Sequence, residues 1–244
     1  MTGHSLVLLL AMVVIAVIVG LTLVACRRPQ PKLPRLGDID PQSLRERLER
    51  DLALSAKWPM SREAPGVRVS CGWLPGRPVR AYRSDVVLAG SLQEVVRFLA
   101  DDQVARLGEW NREFRHGELT ALSDSPQHRS WLARVSYGTP PILKDREYLY
   151  YLSAEQVRDD QVLIAYCSVE DDRAPWPGHH RAVLYPTVHR CTRVEADRTR
   201  VEHILVNDLG GAIPVSVQNR LFRGTFLAAN LRDAQAQQRL FPER

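Results

Sequence analysis

Residues 208–214, with the sequence DLGGAIP, separate two parts of the chain that have different periodicities. Before this stretch the side chains alternate, as at Val201, His203 and Leu205, which predicts a strand. After it, Pro214 suits the first turn of a helix, where a missing N–H costs nothing. An apolar stripe with helical spacing then continues toward the C-terminus, at Val217, Leu221, Phe222, Phe226 and Ala229. The stretch therefore predicts the junction between a sheet and a long terminal helix.

Strand-like alternation dominates the chain upstream of this junction. Two strands are predicted at 67–73 and 79–89. Ser91 and Glu94 then form a capping box that opens a helix. Six more strands are predicted at 117–123, 130–138, 146–154, 161–170, 180–194 and 200–209. Because short turns join these strands, they predict an antiparallel sheet.

The sheet and the terminal helix together indicate an architecture. A helix of about 25 residues is ~37 Å long, which is enough to lie across the concave face of a curved sheet. A further helix is predicted at 43–56. We expect an α+β fold in which a curved antiparallel sheet surrounds a hydrophobic cavity and the C-terminal helix closes it. Residues 41–244 show no internal repeat, so we expect one domain.

The N-terminal region is apolar enough to cross a membrane. Residues 6–26 are a run of 21 without a charged side chain, and about 20 such residues span the hydrocarbon core as a helix. No lysine or arginine precedes the run, whereas four follow it, at Arg27, Arg28, Lys32 and Arg35. By the positive-inside rule, this pattern predicts a single-pass anchor at 1–26 and a cytoplasmic domain.

Two alternatives for this region stay open. Leu23-Val24-Ala25-Cys26 resembles a lipobox, and Cys26 would then carry the lipid of a periplasmic lipoprotein. The other alternative is a cleaved signal peptide, although the apolar core of such peptides is normally about 7–15 residues. Residues 27–40, RRPQPKLPRLGDID, have no apolar periodicity and are predicted to be a Pro/Arg-rich linker.

The composition excludes several classes of protein. Of the 244 residues, 45% are hydrophobic and 25% charged, which is typical of a globular chain. The 33 Lys+Arg exceed the 28 Asp+Glu, but no run of five or six basic residues indicates nucleic-acid binding. Only Lys32, Lys57 and Lys144 are lysines, a bias that is typical of a GC-rich bacterial genome.

The cysteines and histidines form no recognisable metal or cofactor motif. The four cysteines are too far apart in sequence to predict a disulfide framework. His189 and Cys191 would share a strand face, with His203 on a neighbouring strand, but no Cys-x-x-Cys or His-x-x-x-His supports a zinc site. Gly210-Gly211 lacks the Lys-Ser/Thr of a phosphate loop. We therefore expect no metal and no cofactor.

Five motifs, in order, resemble the START domain, the lipid-transfer domain related to the steroidogenic acute regulatory protein. They are RAYRS at 80–84, WN at 110–111, KDREYLYY at 144–151, the loop and strand at 175–186, and DLGGAIP at 208–214. Glu147 replaces the family's usual Asp, and Leu209 replaces the first proline of its last turn. The resemblance covers about 41–240 and implies the helix-grip fold.

The resemblance also implies a function, namely that one lipid is bound in the internal cavity and transferred between membranes without catalysis. The implied partners are a lipid ligand and a membrane surface; protein partners are not indicated. We expect Trp176 to sit on an exposed loop at the membrane and the loop 170–180 to form a lid with the terminal helix. The candidate ligand-binding residues are Arg146, Tyr148, Tyr150, Trp176, Leu221, Phe222 and Phe226. Because Leu152 stands where many relatives keep an arginine, the resemblance does not name the lipid.

Two other function classes stay open from the sequence. The helix-grip superfamily includes cyclases and hydrolases, and a catalytic pair of Arg146 with Glu118 or His203 would place the protein among them. A membrane-tethered lipid sensor is the third class. For Arg146 the simpler reading is a structural role, and for Trp176 it is a loop anchor packed on the domain.

Overall fold

The computed structural model describes residues 31–125, 128–139, 143–211 and 213–242. Within these ranges, no helix is both long and apolar enough to cross a membrane. The anchor predicted at 1–26 lies outside the described residues and stays a prediction.

Strands and helices follow one another in the order that the sequence indicates. The strands are β1 (Met60–Ala64), β2 (Val67–Gly72), β3 (Ala81–Leu88), β4 (Phe114–Asp124), β5 (His128–Tyr137), β6 (Asp145–Arg158), β7 (Gln161–Ser168), β8 (His179–Arg181), β9 (Val183–Leu184), β10 (Thr187–Glu195), β11 (Arg198–Leu205) and β12 (Asn207–Asp208). The helices are α1 (Pro41–Ser55), α2 (Leu92–Val96), α3 (Gln103–Trp110), α4 (Val215–Leu221) and α5 (Leu227–Leu240). A 3₁₀ turn (Leu36–Asp38) precedes α1, and π-helical turns follow α2 (Arg97–Asp101) and α4 (Phe222–Phe226).

A ten-stranded sheet has the order β1-β2-β3-β11-β10-β7-β6-β5-β4, with β8 added beside β6. All neighbours along this order are antiparallel, whereas β8 runs parallel to β6. The predicted α+β fold, with a curved antiparallel sheet and a C-terminal helix, is confirmed.

Alternation along β6 gives the sheet two faces. Tyr148 and Tyr150 point to one side of the sheet, which we call the inner face, and Leu227 of α5 belongs to the same buried cluster. Glu147 and Tyr151 point to the other side, the outer face, where Tyr151 packs in a second cluster. Helices α4 and α5 cover part of the inner face, while α1 lies on the outer face. A cavity between sheet and helix would therefore lie on the inner side.

Residues 34–39, which the sequence assigns to a linker, pack on the outer face. The backbone N–H of Glu170 donates to the carbonyl of Pro34 at 2.8 Å, and Arg35 forms a β-bridge to Glu170. Leu36 and Ile39 pack against the outer cluster, whose buried members are Leu149, Tyr151, Cys167 and Val169. The described part of this segment is thus held by the domain.

A chain that begins at Asp40 is expected to be less stable than one that begins at Pro31. Both keep the Asp40 carboxylate that caps α1, but the shorter chain loses the half-buried Leu36 and Ile39. Losing this burial is expected to lower the free energy of unfolding by about 2 kcal/mol, measured by urea denaturation. Gly37→Ala in the longer chain is the control, because a Cβ there meets nothing within 4 Å. Equal stability of the two chains would contradict the packing role.

The long terminal helix is confirmed, but it is not regular along its length. We expected one continuous α-helix of about 25 residues; instead a π-helical turn, Phe222–Phe226, joins α4 to α5. Gly224 lies in this turn, and glycine costs about 1 kcal/mol relative to alanine in a helix interior. Single π turns inside α-helices are often found at functional sites. The turn is therefore the weak point of the helix that covers the inner face.

Three other expectations differ from the structure. The strand predicted at 180–194 is three strands, β8, β9 and β10, and Pro186, which has no N–H to continue a ladder, separates the last two. The strand predicted at 200–209 is interrupted at Val206, whose N–H donates to Thr187 Oγ1 at 3.1 Å instead. Strand β1 was missed because four of its five residues are exposed, so its sequence has no apolar alternation.

Candidate functional site

Tyrosines from three adjacent strands form an aromatic layer on the inner face. Tyr137 of β5 meets Tyr148 of β6 edge to face, with ring centroids 5.6 Å apart. Tyr150 of β6 lies 5.9 Å from Tyr166 of β7. The register explains this proximity. Tyr137 pairs with Arg146, two residues before Tyr148, and Tyr166 pairs with Leu152, two residues after Tyr150, so the rings are diagonal neighbours on one face. The layer lies where the sequence predicts a ligand.

The phenol groups of this layer are buried and neutral. Tyr150 donates to Gln103 Oε1 of α3 at 3.3 Å, and Tyr166 donates to the carbonyl of Leu99 at 3.2 Å. Tyr148 accepts a hydrogen bond from Asn207 Nδ2 at 3.3 Å. Burial raises the pKa of Tyr148 to about 12 and the pKa values of the other two further. The phenols therefore act as hydrogen-bonding groups and not as bases at neutral pH.

A stacked histidine pair continues the inner face beyond Tyr166. The rings of His189 and His203 are 4.0 Å apart and nearly parallel, and His189 Nδ1 lies 2.9 Å from the Tyr166 hydroxyl. Burial lowers the pKa of His189 well below its usual value, and it lowers the pKa of His203 to about 4. Burial also raises the pKa of the Cys191 thiol to about 12. An imidazole whose pKa lies well below neutral is a weak general base, and a protonated thiol is a poor nucleophile.

The His189, Cys191 and His203 zinc hypothesis gains no support from this arrangement. His189 and Cys191 share a strand face and His203 pairs with His189, both as expected, but no further ligand joins them among the described residues. Across the described ranges, no three His, Cys, Asp or Glu side chains come together as a metal site.

Gln218 of α4 is the most buried polar side chain near the tyrosine layer. It is 0% exposed, and its Nε2 donates to the backbone carbonyl of Asn207 at 3.0 Å. Because that acceptor fixes the orientation of the amide, Gln218 Oε1 is the atom left without a hydrogen-bond partner among the described residues. Asn207 Oδ1 also has none. Asn207 thus joins Gln218 to Tyr148, and the three side chains form what we call the amide cluster.

A buried carboxyl lies where α5 meets α3. Asn111 donates to Asp233 Oδ2 at 3.3 Å. Burial raises the pKa of Asp233 to about 7, helped by the nearby Glu113, while Arg232 and Arg112 act in the opposite direction. This carboxyl changes charge near neutral pH at a contact that holds the terminal helix.

The sequence matches the family model described as the START domain over residues 55–238, about three quarters of the chain. The chain belongs to the START domain family. The resemblance carried by the five sequence motifs is confirmed. Among proteins with curated descriptions, none matches the chain.

Solved START structures share the fold. Human STARD10 superposes with a TM-score of 0.65 at 16% identity, covering 82% of this chain and 80% of that one. Human StAR-related lipid transfer protein 5 gives 0.61 at 23% identity, covering 79% and 94%. A STAR-related lipid transfer protein fragment from Xanthomonas axonopodis gives 0.58 at 21% identity, covering 74% and 99%. START relatives bind and transfer lipids, and most are not enzymes.

Arg146 has a structural position in this START domain. Its side chain is buried, and its Nε donates to the carbonyl of Leu209 at 2.7 Å while Nη1 donates to the carbonyl of Lys144. Burial lowers its pKa, yet it stays charged. Gly210 and Gly211, with φ of +62° and +66°, make the turn that presents the Leu209 carbonyl. Arg146 thus links β6 to the turn before the terminal helix.

Trp176 lies on the outer face, away from Tyr148 and Tyr150. Its ring is half-buried under the guanidinium of Arg134, 4.1 Å from the ring centroid. Its backbone N–H donates to Glu147 Oε2 at 2.6 Å. The loop 170–180 is therefore fixed to the outer side of the sheet, whereas we expected it to form a lid with the terminal helix. The simpler interpretation, a loop anchor, describes these contacts.

The structure describes the surroundings of some, but not all, of the other candidate residues. Phe226 packs against the main core that contains the tyrosine layer. The side chains of Leu221 and Phe222 lie outside the described part of the chain. The catalytic pair considered for an enzyme is not assembled, because Glu118 is exposed on the outer face and Arg146 is buried toward the inner one. His203 instead stacks on His189.

Sequence reasoning missed the amide cluster and the charged cluster on the outer face. A signal for Gln218 was present, since it shares a helix face with Leu221 and Phe222 and so interrupts an apolar stripe. For Glu147, the strand pattern predicts only that its side chain and that of Arg146 point to opposite faces of the sheet. Its partner Arg181 is 34 residues away and meets it through β8, a pairing that no local pattern predicts.

Proposed function

We propose that this protein binds one lipid between the inner face and the terminal helix and carries it between membranes without breaking a covalent bond. Support comes from family membership and from the inner face itself, which offers aromatic rings and neutral hydrogen-bonding groups. Sequestration needs no reactive group. A chain of about 16 carbons removed from water gains roughly 12 kcal/mol, so the site must be about as apolar as the bilayer that the lipid leaves.

We propose further that the lipid is uncharged and carries a hydroxyl group. The observation that carries this is the buried Gln218 Oε1, an acceptor without a hydrogen-bond partner among the described residues. A buried acceptor left unpaired costs about 1–3 kcal/mol, which a donor on the ligand would recover. Arg146 is committed to two backbone carbonyls and is not placed to hold an anionic head group. A hydroxyl can donate to Gln218 and accept from Tyr148.

Removing the amide of Gln218 is expected to weaken binding of a hydroxyl-bearing lipid about tenfold. The probe is dioleoylglycerol, compared with its O-methyl ether, in competition against a fluorescent diacylglycerol. Gln218→Leu and Tyr148→Phe should each reduce the preference for the free hydroxyl, because one hydrogen bond is worth about 1 kcal/mol or more in a buried site.

Gln103→Leu is the matched control for this test, since Gln103 is a buried glutamine that binds Tyr150 outside the amide cluster. It should leave the preference for the hydroxyl unchanged. If the wild-type protein binds the lipid and its methyl ether equally, the hydroxyl proposal fails while lipid binding stands. If it binds neither lipid nor any extracted lipid, the carrier proposal itself fails.

For location, we propose the single-pass anchor at 1–26 with the domain on the cytoplasmic side. The basic residues after Cys26 support this orientation. Alkaline phosphatase fused to the C-terminus should be inactive and a fluorescent protein fused there should be bright. Lipid labelling of Cys26 would instead favour the periplasmic lipoprotein.

A further inference from the structure

The loop between β2 and β3 carries Trp73, the most exposed of the tryptophans in the described ranges. Trp73 is 49% exposed, and its ring lies 4.8 Å from the guanidinium of Arg80. Pro75 and Pro78 in the same loop are also exposed. Prolines fix φ, so the loop presents the indole from a stiff segment. Trp176, by contrast, is held against the sheet.

This loop and helix α4 form one continuous surface. The backbone N–H of Arg80 donates to Asn219 Oδ1 at 2.8 Å, and Asn219 Nδ2 donates to the carbonyl of Pro78 at 3.4 Å. Two residues before Asn219 on the same helix, Val217 is 47% exposed. The loop 73–80, the exposed side of α4 and Arg223 of the following turn are hereafter the Trp73 surface.

The charge of the Trp73 surface has one sign. Arg220 and Arg223 are exposed one and four residues after Asn219, which contacts the loop, and Arg80 lies beside Trp73. Neither segment 72–84 nor segment 209–231 contains an aspartate or glutamate. Arg77 does not contribute, because it is buried against Asp51 at 3.3 Å. Three arginines therefore lie on the two segments that form this surface, and neither segment contains an acid.

We propose that the Trp73 surface docks on a membrane that contains anionic lipid. Tryptophan favours the membrane–water interface, and each basic residue near an anionic surface strengthens binding about fivefold. The proposal rests on the carrier function and names the surface through which that carrier meets its membrane. Gln218 is on the buried side of the same helix and contacts Asn207. Docking therefore takes place on the helix that closes the inner face, directly before the π-helical turn.

The test uses the full chain held in nanodiscs of phosphatidylcholine, mixed with sucrose-loaded vesicles that can be sedimented. Vesicles of phosphatidylcholine with 30% phosphatidylglycerol should bind the protein at least tenfold more tightly than pure phosphatidylcholine. Arg220→Gln combined with Arg223→Gln should weaken this binding roughly ten- to thirtyfold, and 0.5 M NaCl should have a similar effect because salt screens exposed charges. Trp73→Ala should weaken it about fivefold.

Arg198→Gln combined with Arg200→Gln is the matched control, because these exposed arginines lie at the opposite end of β11 from the loop. It should change binding less than twofold, and Trp176→Ala should do the same. The amount of lipid extracted from the same protein samples tests the carrier function separately, because it does not depend on whether the protein sediments with vesicles. Binding that is equal for both vesicle types, or equal loss in the control, would overturn the proposal. The proposal would also be overturned if Trp73 became buried when the protein concentration is raised without vesicles. That result would mean that a second copy of the chain covers this surface.

Discussion

Glu147→Gln is expected to lower the free energy of unfolding by about 3–5 kcal/mol. The carboxylate is 0% exposed and accepts hydrogen bonds from Arg134, at 3.1 Å to each oxygen. Arg181 Nη2 lies 2.8 Å from Oε1. Removing one partner of a buried ionic cluster leaves the remaining charges uncompensated, which accounts for the size of the effect. Urea denaturation followed by circular dichroism measures it.

Glu63→Gln is the control for this loss. Glu63 pairs with Arg68 at 3.2 Å, but both side chains are largely exposed, so the change should cost less than about 1 kcal/mol. The Glu147 substitution should also release Trp176, whose indole rests on Arg134, and its fluorescence should shift to the red. A Glu147→Gln protein as stable as the wild type would show that the two arginines are adequately solvated without the carboxylate.

Asp233→Asn is expected to stabilise the protein by about 2–4 kcal/mol at pH 8. The folded-state pKa near 7 lies above the ordinary value of 3.8, so the folded chain holds a proton that the unfolded chain loses first. Below pH 4 the carboxyl is protonated in both the folded and the unfolded state, so Asp233 does not lower the free energy of unfolding there. Stability then falls as pH rises from about 4 to 7 and levels off above that, by up to about 1.4 kcal/mol per unit. Asparagine does not ionise, so the Asp233→Asn protein does not lose stability in this way as the pH rises.

The measurement is urea denaturation of both proteins at pH 4.5 and pH 8. The gain from Asp233→Asn should be small at the lower pH and large at the higher one. Asp197→Asn, an exposed aspartate in the β10–β11 hairpin, should give no such difference. An Asp233→Asn protein that is less stable at pH 8 would mean that the ionised carboxylate, with Arg232 nearby, supports the helix.

The sequence predicts the elements of this fold better than their long-range partners. Alternation places Tyr148 and Tyr150 on one face because the period of a strand is local and fixed. The switch to helical spacing after Gly211 is equally local. Trp176 is different, since its environment depends on Arg134, 42 positions away in another strand. The π-helical turn at Phe222–Phe226 also escapes a pattern argument, because one additional residue changes the spacing without changing the composition.

The attachment of residues 34–39 to the outer face sets how far the domain can travel. If residues 6–26 are a membrane anchor, only residues 27–33 connect it to this attachment, and seven residues extend at most about 25 Å. A tether of that length keeps the local concentration of the domain at its own membrane high and does not let it cross an open aqueous gap. Delivery would then be controlled by the spacing of the two membranes and not by diffusion of the carrier. The protein would work only where a second bilayer comes within one domain width of the first.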